Sequence, residues 1–244
     1  MSRPSAAGDM REMATTEEAE RIKRVYDRRD SDGKDTIYSF FRPAALFMYQ
    51  QREKEILKTL CSEDMRDISG EKILEVGCGD GSVLRDFLRY GARPENCFGV
   101  DLLPWKIDEA RRLSPNIDFR CCNAERLPFR GGAFDIILCI TVFTSILDME
   151  MKRNLAGEME RVLKRGGIIL WCDFHMDNPK NADVRGIKMR ELRDIFRGLE
   201  IRMRRVILAP PLARAIAPHS SLLCYLLEQA KIFNTHYIGV IKKG

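Results

Sequence analysis

The chain of 244 residues has little of the residue types that most often bind metals or form disulfides. It contains three histidines, and its eight cysteines include no pair spaced as CxxC. Several cysteines, such as Cys139 and Cys172, lie within apolar runs, which is typical of reduced core residues. Cys121 and Cys122 are adjacent, so on a strand they would point to opposite faces and could not readily hold one metal ion. We therefore expect neither a metal site nor a disulfide framework.

The sequence also lacks a long hydrophobic run and a concentrated charge. Its longest apolar stretch, FDIILCITVF at 134–143, is shorter than the roughly 20 residues of a membrane-spanning helix. The first ten residues, MSRPSAAGDM, do not contain the apolar core of a secretory signal. The 41 Lys and Arg exceed the 36 Asp and Glu by a net charge of +5 that is scattered along the chain. These features predict a cytoplasmic protein without a membrane span and without a nucleic-acid partner.

What is present is the composition of an ordinary globular protein, with 45% hydrophobic and 32% charged residues. Its length favours one large domain. Residues 1–14 are polar and without a period, so we expect a disordered tail. Thr15 and Glu18 have the spacing of a capping box, and Pro43 suits the first turn of a second helix. These signals predict an N-terminal helical cap over 15–70.

From residue 71 to the C-terminus the sequence alternates short apolar strands with amphipathic helices, an order typical of βαβ units and a parallel sheet. Five strands of this kind precede residue 175, and two further apolar runs follow, EIRMRRVIL and HYIGVIKK. Between these last two runs lies a segment rich in proline and leucine, which we expect to be a helical insertion at 209–235. The fold class is α/β, with a seven-stranded sheet in one domain.

The first of these strands ends in the stretch ILEVGCGDGS, where three glycines alternate with other residues. A glycine-rich turn between a strand and a helix can bring backbone amides close to a ligand, because no Cβ intervenes. A dinucleotide fold would have the spacing G-x-G-x-x-G, whereas Gly77, Gly79 and Gly81 follow G-x-G-x-G. Glu75 would repel a diphosphate, but it could pair with an ammonium or sulfonium group. The pattern therefore favours a cationic ligand, although a purely structural turn would have the same glycines.

The second strand closes on an acidic residue, Asp101, 20 residues after Gly81. A carboxylate at this position of a nucleotide-binding fold accepts hydrogen bonds from the hydroxyl groups of a ribose. Asp101 could instead only cap the helix that starts near Pro104. Its place after the glycine turn favours the ribose role.

With these residues in place, the sequence resembles the class I S-adenosylmethionine-dependent methyltransferases of the small-molecule "type 11" kind. The resemblance covers about residues 73–174 strongly and the rest in element order. Its segments are ILEVGCGDGSVL, GVDLLPWKIDEAR, CCNAERLPF, FDIILCITVFTSIL and EMERVLKRGGIILWCDF. The resemblance implies one Rossmann-like domain with a mostly parallel seven-stranded sheet, an antiparallel last strand, helices on both faces and extra N-terminal helices.

The resemblance also implies S-adenosylmethionine as cofactor, S-adenosylhomocysteine as product, and a set of contacts. Glu75 and Gly77 would lie near the methionine part, Asp101 near the ribose, and Asn123 and Ala124 near the adenine. The full set expected around the cofactor comprises Glu75, Gly77, Gly79, Gly81, Asp101, Leu102, Asn123, Ala124, Ile140 and Phe143. Many relatives have Asp where this chain has Asn123, which can still bind the adenine edge.

No general base is carried over by the resemblance, because Thr141 and Ser145 stand where relatives often have a Glu-His pair. Methyl transfer from a sulfonium has a good, neutral leaving group, so alignment supplies much of the acceleration. If an acceptor hydroxyl must lose its proton, the candidate catalytic residue is His175, which follows the fifth strand. A lone histidine is more often structural, and Asp173 is expected to form local hydrogen bonds.

Two segments are candidates for closing the site. In this fold an added N-terminal helical pair commonly covers the cofactor, and we predict that Tyr38 and Phe41 do so, although most aromatic residues there would be core. The apolar segment within 219–233 would form either a lid over the acceptor or a contact between subunits. A homo-oligomer could therefore form through this segment or through the N-terminal helices.

The leading functional hypothesis is an enzyme that transfers a methyl group to a small organic acceptor, with O-methylation favoured, in bacterial secondary or glycan metabolism. The alternative is a catalytically silent subunit that binds S-adenosylmethionine and acts through a partner. A nicotinamide-dependent oxidoreductase is disfavoured by the glycine spacing.

Overall fold

The computed structural model describes residues 6–31 and 39–244, and side chains from residue 16 onward within those ranges except that of residue 31. Tyr38 lies outside the described residues. Within them the helices are α1 (Ala6–Ser31), α2 (Pro43–Ser62), α3 (Ser82–Arg89), α4 (Pro104–Leu113), α5 (Met149–Val162), α6 (Met189–Ile195), α7 (Pro210–Ile216) and α8 (Ser221–Gln229). The strands are β1 (Ile73–Val76), β2 (Cys97–Asp101), β3 (Asp118–Cys121), β4 (Phe134–Ile140), β5 (Leu163–Phe174), β6 (Glu200–Leu208) and β7 (Asn234–Lys242).

All seven strands form one sheet in the order β3-β2-β1-β4-β5-β7-β6. Strands β1 to β5 pair in parallel, and β7 is antiparallel to both β5 and β6. The predicted α/β fold, with seven strands and an antiparallel last strand, is confirmed. Because β6 runs in the same direction as β5, the carboxyl ends of six strands meet at one edge of the sheet.

The core is divided into two layers by the alternation of side chains along the strands. Leu74 and Val76 of β1 pack with α5 and α1 on one face of the sheet. Ile73 packs on the opposite face with Ile56 and Leu60 of α2 and with residues of α3 and α4. Helices therefore cover both faces, as a parallel sheet with apolar strands requires.

The N-terminal helices differ from the expectation in one respect. The helix predicted to begin near Thr15 begins at Ala6, so the expected tail is helical from that residue onward. Glu18 does not complete a capping box, because its carboxylate accepts a hydrogen bond from the backbone N–H of Leu147. The start of α2 at Pro43 agrees with the prediction, since proline needs no hydrogen-bond acceptor in the first turn.

Gly166 and Gly167 lie inside β5, near its start. Helix α5 ends at Val162 and β5 begins at the next residue. Gly166 has a φ of 75°, and the ladder between β4 and β5 is irregular between Phe134 and Ile136. The glycines thus permit a distortion at the start of β5 rather than a loop.

Helices α7 and α8 form the insertion between β6 and β7, where the sequence predicted one. They pack through Ala213, Ala217 and Cys224 against Ala44 and Phe47 of α2. Since they connect the end of β6 to the start of β7, they lie at the same edge of the sheet as the carboxyl ends of β1 to β5.

Candidate cofactor-binding site

A cavity of about 190 Å³ lies at the carboxyl ends of β1, β2 and β4. A single water molecule needs a cavity of only about 10 to 15 Å³, so this space is of ligand size. Of the residues predicted to contact the cofactor, the cavity is lined by Gly77, Gly79, Asp101, Leu102, Asn123, Ala124 and Ile140. The structure therefore brings together residues from four separate sequence segments.

The glycine turn after β1 forms one wall of the cavity. Gly77 and Gly79 have φ angles of 70° and 53°, which residues with a side chain rarely adopt. A Cβ at Gly77 would lie 2.7 Å from a methyl group of Val142, whereas a Cβ at Gly79 would meet no protein atom within 4 Å. Gly77 thus permits close packing of two loops, and Gly79 keeps the wall of the cavity open.

Asp101 connects the turn to the end of β2. Its Oδ2 accepts a hydrogen bond of 2.8 Å from the N–H of Gly79, and its Oδ1 accepts one of 2.9 Å from the N–H of Leu103. Burial raises the pKa of this carboxyl, while the backbone donors lower it. Each carboxylate oxygen can accept a further bond, so Asp101 holds the turn and still presents acceptors to the cavity.

The loop after β3 supplies the polar group at the far end of the cavity. Asn123 Oδ1 accepts from the N–H of Glu125 at 3.0 Å, and its Nδ2 donates to Glu125 Oε2 at 2.9 Å. This local ring of hydrogen bonds fixes the amide orientation. Ala124 and Leu102 provide apolar surface beside it. An amide edge next to two apolar side chains suits a flat aromatic base.

The turn after β4 closes the cavity on a third side. Thr141 has a φ of 56°, an uncommon value for a β-branched residue, and its N–H donates to the carbonyl of Cys172 at 2.7 Å. Asp173 holds the following residues, because its carboxylate accepts from the N–H of Thr144 at 3.2 Å and from its Oγ1 at 2.7 Å. Burial raises the pKa of Asp173 to about 6. The expectation that Asp173 forms local hydrogen bonds is confirmed.

Helix α1 covers the cavity with Ile22 and Tyr26. The Tyr26 hydroxyl lies 3.0 Å from Ser145 Oγ, and Arg21 donates to the Ser145 carbonyl at 2.6 Å. Together with the bond from Leu147 to Glu18, these contacts fasten α1 to the turn after β4. An N-terminal element therefore covers the site, but it is the first helix rather than the residues before the second.

The aromatic residues predicted to cover the cofactor do not do so where they are described. Phe41 is 100% exposed and lies away from the cavity, because α2 begins two residues later and packs on the face of the sheet opposite α1. The prediction for Phe41 is wrong. Tyr38 lies outside the described residues, so its role stays a prediction.

Two other predicted contacts are core residues instead. Phe143 is fully buried, with its ring centroid 4.6 Å from that of Trp171, so it supports the turn after β4 from the core and does not line the cavity. Gly81 precedes α3 with a φ of 77°, and a Cβ there would lie 2.6 Å from the ring of Phe119. Gly81 thus allows helix and strand to pack closely and does not face the cavity.

Glu75 does not line the cavity, although the next residue, Val76, does. The side chain of Glu75 lies on the α2 face of the sheet, since it alternates with Leu74 and Val76. The residue is buried, and its Oε2 has no hydrogen-bond partner among the described residues. Burial raises the pKa of this carboxyl well above its usual value, and the charge of Arg52 opposes the shift. A buried carboxylate oxygen without a partner is costly, so a ligand group that donates to Oε2 would stabilise it.

Arg52 lies on the face of α2 that packs on the sheet. Met48, Ile56 and Leu60 lie on the same face, at intervals of four residues. The guanidinium of Arg52 stacks on the ring of Tyr49 at 5.5 Å, and no hydrogen bond or ion pair reaches it from the described residues. Its charge acts on Glu75 and on His236 of β7. The sequence analysis did not identify Arg52. A cationic residue among apolar residues at helical spacing was the pattern that could have indicated it.

His175, the predicted general base, does not line the cavity. Its Nε2 lies 2.9 Å from the carbonyl oxygen of Asn234, and its ring packs against that of Tyr237 at 4.5 Å. Burial lowers its pKa. The side chain therefore joins the end of β5 to the start of β7 instead of facing the cavity.

The described residues contain no group of three or more His, Cys, Asp or Glu arranged to hold a metal ion. Sequence reasoning missed other residues that line the cavity, namely Ile22, Tyr26, Val76, Val100, Leu103, Lys106, Cys122, Glu125, Thr141, Val142, Ser145, Ile146, Met151 and Leu155. Most lie within two positions of a predicted contact, on either side of it, so neighbouring positions were the signal. Ile22 and Tyr26 had none, because their place depends on how α1 docks.

Comparison with known proteins agrees with this site. A family model described as Methyltransferase domain matches residues 74–171, which contain the glycine turn, Asp101 and the turn after β4. Residues 74–171 of the chain therefore match a methyltransferase domain. The methyltransferase resemblance expected from the sequence is thereby confirmed over residues 74–171.

The matches with individual relatives cover only part of each chain. Phthiotriol/phenolphthiotriol dimycocerosates methyltransferase 1 of Mycobacterium ulcerans (strain Agy99) is 33% identical over 145 residues, which are 55% of this chain and 52% of the relative. A ubiquinone biosynthesis O-methyltransferase of Azorhizobium caulinodans is 31% identical over 102 residues, 40% of this chain and 39% of the relative. The chain thus spans about half the length of the curated relatives it matches, or less.

The solved structure of geranyl diphosphate C-methyltransferase from Streptomyces coelicolor A3(2), in complex with Mg²⁺, geranyl diphosphate and S-adenosyl-L-homocysteine, shares the fold. Its TM-score is 0.56 at 18% identity, and the match covers 78% of this chain and 75% of that one. At this identity the likeness shows the fold and no more.

Proposed function

We propose that the protein transfers a methyl group from S-adenosylmethionine to a small organic acceptor that binds beside the carboxyl ends of β4 and β5. The observation that carries the proposal is the Asp101 carboxylate, which holds the N–H of Gly79 and still presents acceptors to a cavity of ligand size. When bound, the cofactor supplies a methyl group on a sulfonium. The protein aligns the acceptor with that methyl group and excludes water.

Within this proposal, Glu75 and Arg52 receive the two ends of the cofactor's amino acid group. The buried Oε2 of Glu75 would accept from the ammonium group, and the guanidinium of Arg52 would pair with the carboxylate. Both protein groups have free hydrogen-bonding capacity among the described residues, and the charge of Arg52 acts on Glu75 without an ion pair between them. A zwitterion between them would satisfy both charges.

Oxygen is the proposed acceptor atom, supported by the similarity to an O-methyltransferase of ubiquinone biosynthesis. His175 is not part of the proposed chemistry, because its ring bonds to Asn234 instead of facing the cavity. An acceptor that is already ionised, or that loses its proton to solvent, fits a site that works by alignment. The proposed setting is cytoplasmic biosynthesis of a bacterial secondary metabolite or glycan, without a nucleic-acid partner.

Titration calorimetry tests the proposal with S-adenosylhomocysteine, with 5′-methylthioadenosine, which lacks the amino acid group, and with NAD. Replacing Arg52 by glutamine should weaken binding of S-adenosylhomocysteine about tenfold or more, as expected for a lost charge-assisted hydrogen bond. The same change should leave 5′-methylthioadenosine unaffected. Arg42→Gln is the matched control, because Arg42 precedes α2 and is exposed.

Equal weakening of both adenosine ligands would contradict the role of Arg52. Tighter binding of NAD than of S-adenosylhomocysteine would contradict the proposed class. Cofactor binding without methyl transfer to any member of a broad metabolite panel would favour the silent partner subunit over the enzyme.

A further inference from the structure

The insertion between β6 and β7 exposes an unusual amount of apolar surface. Leu222 and Leu226 on the outer face of α8 are 68% and 56% exposed, and Ile232 after the helix is 74% exposed. Leu223 and Phe233 are also exposed large apolar residues. Single exposed leucines are ordinary, but five large apolar side chains within twelve residues form a patch that indicates a binding surface. We call these five residues the α8 patch.

Basic residues border the α8 patch, and residues 209–233 present no exposed acidic group beside it. Arg214 and Lys231 are exposed in the same insertion, and Lys54 of α2 lies 4.6 Å from the ring of Tyr225 on α8. The one acidic residue between positions 209 and 233, Glu228, is buried, and its Oε1 accepts from the N–H of Ile207. The insertion thus presents leucine, isoleucine and phenylalanine with a basic border.

An apolar helical face with basic flanks has the composition that lies in the interface of an anionic membrane. A second copy of the chain suits the patch less well. Two identical patches facing each other would bring Arg214 and Lys231 of both copies together, and like charges across an interface are unfavourable. No helix within the described residues is long and apolar enough to cross a membrane. Attachment by this patch would therefore be peripheral.

We propose that the α7–α8 insertion binds the surface of anionic lipid membranes through the α8 patch. Leu222 and Leu226 enter the acyl boundary, and Arg214 and Lys231 contact lipid headgroups. Because α7 and α8 lie at the edge where β1 to β5 end, the cavity would face the membrane side of the protein. Delivery of a lipid-soluble acceptor by this route rests on the proposed function, whereas membrane binding itself does not.

Co-sedimentation of the full chain with vesicles tests the proposal in the absence of cofactor. Vesicles of phosphatidylcholine with about a third phosphatidylglycerol should bind the protein at least tenfold better than vesicles of phosphatidylcholine alone, because neighbouring basic residues each add attraction to an anionic surface. Binding should weaken when the salt concentration rises from 0.1 to 0.5 M. The double variant Leu222→Ser/Leu226→Ser should lose roughly tenfold or more of the vesicle affinity.

Leu113→Ser is the matched control, since Leu113 is an exposed leucine at the end of α4, away from the insertion. It should bind vesicles like the unchanged protein. Circular dichroism and binding of S-adenosylhomocysteine establish that each variant is folded. Equal vesicle binding by the double variant and the unchanged protein would overturn the proposal. A dimer in sedimentation velocity that the double variant converts to monomer, without vesicle binding by the unchanged protein, would assign the patch to self-association and overturn it as well.

Discussion

The two halves of the carboxyl edge of the sheet are built in different ways. The half formed by β1, β2 and β3 takes its ligand groups from one stretch of about fifty residues, from Gly77 to Ala124. The half next to β4, β5 and β7 is assembled from distant segments: the bond between Leu147 and Glu18 joins residues 129 positions apart, and that between His175 and Asn234 joins residues 59 apart. A cofactor site can therefore be local in sequence, whereas its cover and the acceptor side depend on packing.

The largest effect should come from the glycine that opens the first half. Gly79→Val should reduce affinity for S-adenosylhomocysteine more than a hundredfold, because a branched side chain would enter the cavity. Gly132→Val is the matched control, because Gly132 also has a positive φ, of 63°, and open space around its Cβ position. Both variants should lose about 1 to 3 kcal/mol of stability from backbone strain. Normal binding by a folded Gly79→Val protein would refute the assignment of this wall.

Asp101→Ala should have the next largest effect on the same half. Loss of the charged acceptor should weaken binding of S-adenosylhomocysteine by about 1 to 3 kcal/mol and loosen the turn that the carboxylate holds. Titration calorimetry measures the change, with Asp108→Ala on the exposed side of α4 as control. Affinity that is the same in both variants would remove Asp101 from the site.

The second half should differ from the first in its response to acid. His236 is buried against Phe174, and burial, aided by the charges of His175 and Arg52, lowers its pKa to about 3. As the pH falls below about 6.5, His236 becomes protonated in the unfolded chain but stays neutral in the folded protein. The free energy of unfolding therefore falls by up to about 1.4 kcal/mol per pH unit. His236→Phe should remove this contribution.

Urea unfolding at pH 7, 6 and 5 measures the difference between the two proteins. Asp173 acts in the opposite direction, because its raised pKa of about 6 favours the folded state as it protonates, but it does so in both proteins. His219→Asn, at an exposed position, serves as control. Parallel pH dependence of the unchanged protein and His236→Phe would show that His236 is not held neutral by the fold.

The smallest effect is expected at His175. His175→Gln keeps a donor for the Asn234 carbonyl, so kcat with an acceptor found by the metabolite panel should change less than about threefold. The ratio of the two rates should stay constant between pH 6 and 8. A hundredfold loss of kcat with unchanged cofactor affinity would restore His175 as a general base.

The same contrast explains what could be predicted from the sequence. Strand periodicity and the spacing of Gly77, Gly79 and Asp101 are local properties, and they sufficed for the strands and for these three residues of the cavity. The family resemblance supplied four more, Leu102, Asn123, Ala124 and Ile140. Phe143 was misassigned because one step along a tight turn moves a side chain from the cavity to the core. His175 was misassigned because its place depends on the antiparallel insertion of β7 between β5 and β6. Tyr26 and Arg52 required knowledge of how each N-terminal helix docks, which no local pattern contains.

The left-handed conformation of Thr141 bears on how the pocket responds to its occupant. The residue is held by the bond from its N–H to Cys172 and by the bond from its Oγ1 to the carbonyl of Ile140 at 2.7 Å. A β-branched residue in this region of backbone space is unfavourable by about 1 to 3 kcal/mol, so it persists because the surrounding packing leaves no alternative. The cavity wall that Thr141 forms is consequently rigid, and it has its shape before a ligand binds. This wall then loses little conformational entropy when a ligand binds. Selectivity between similar ligands rests on how well their shape fits the wall, and not on a rearrangement of the wall.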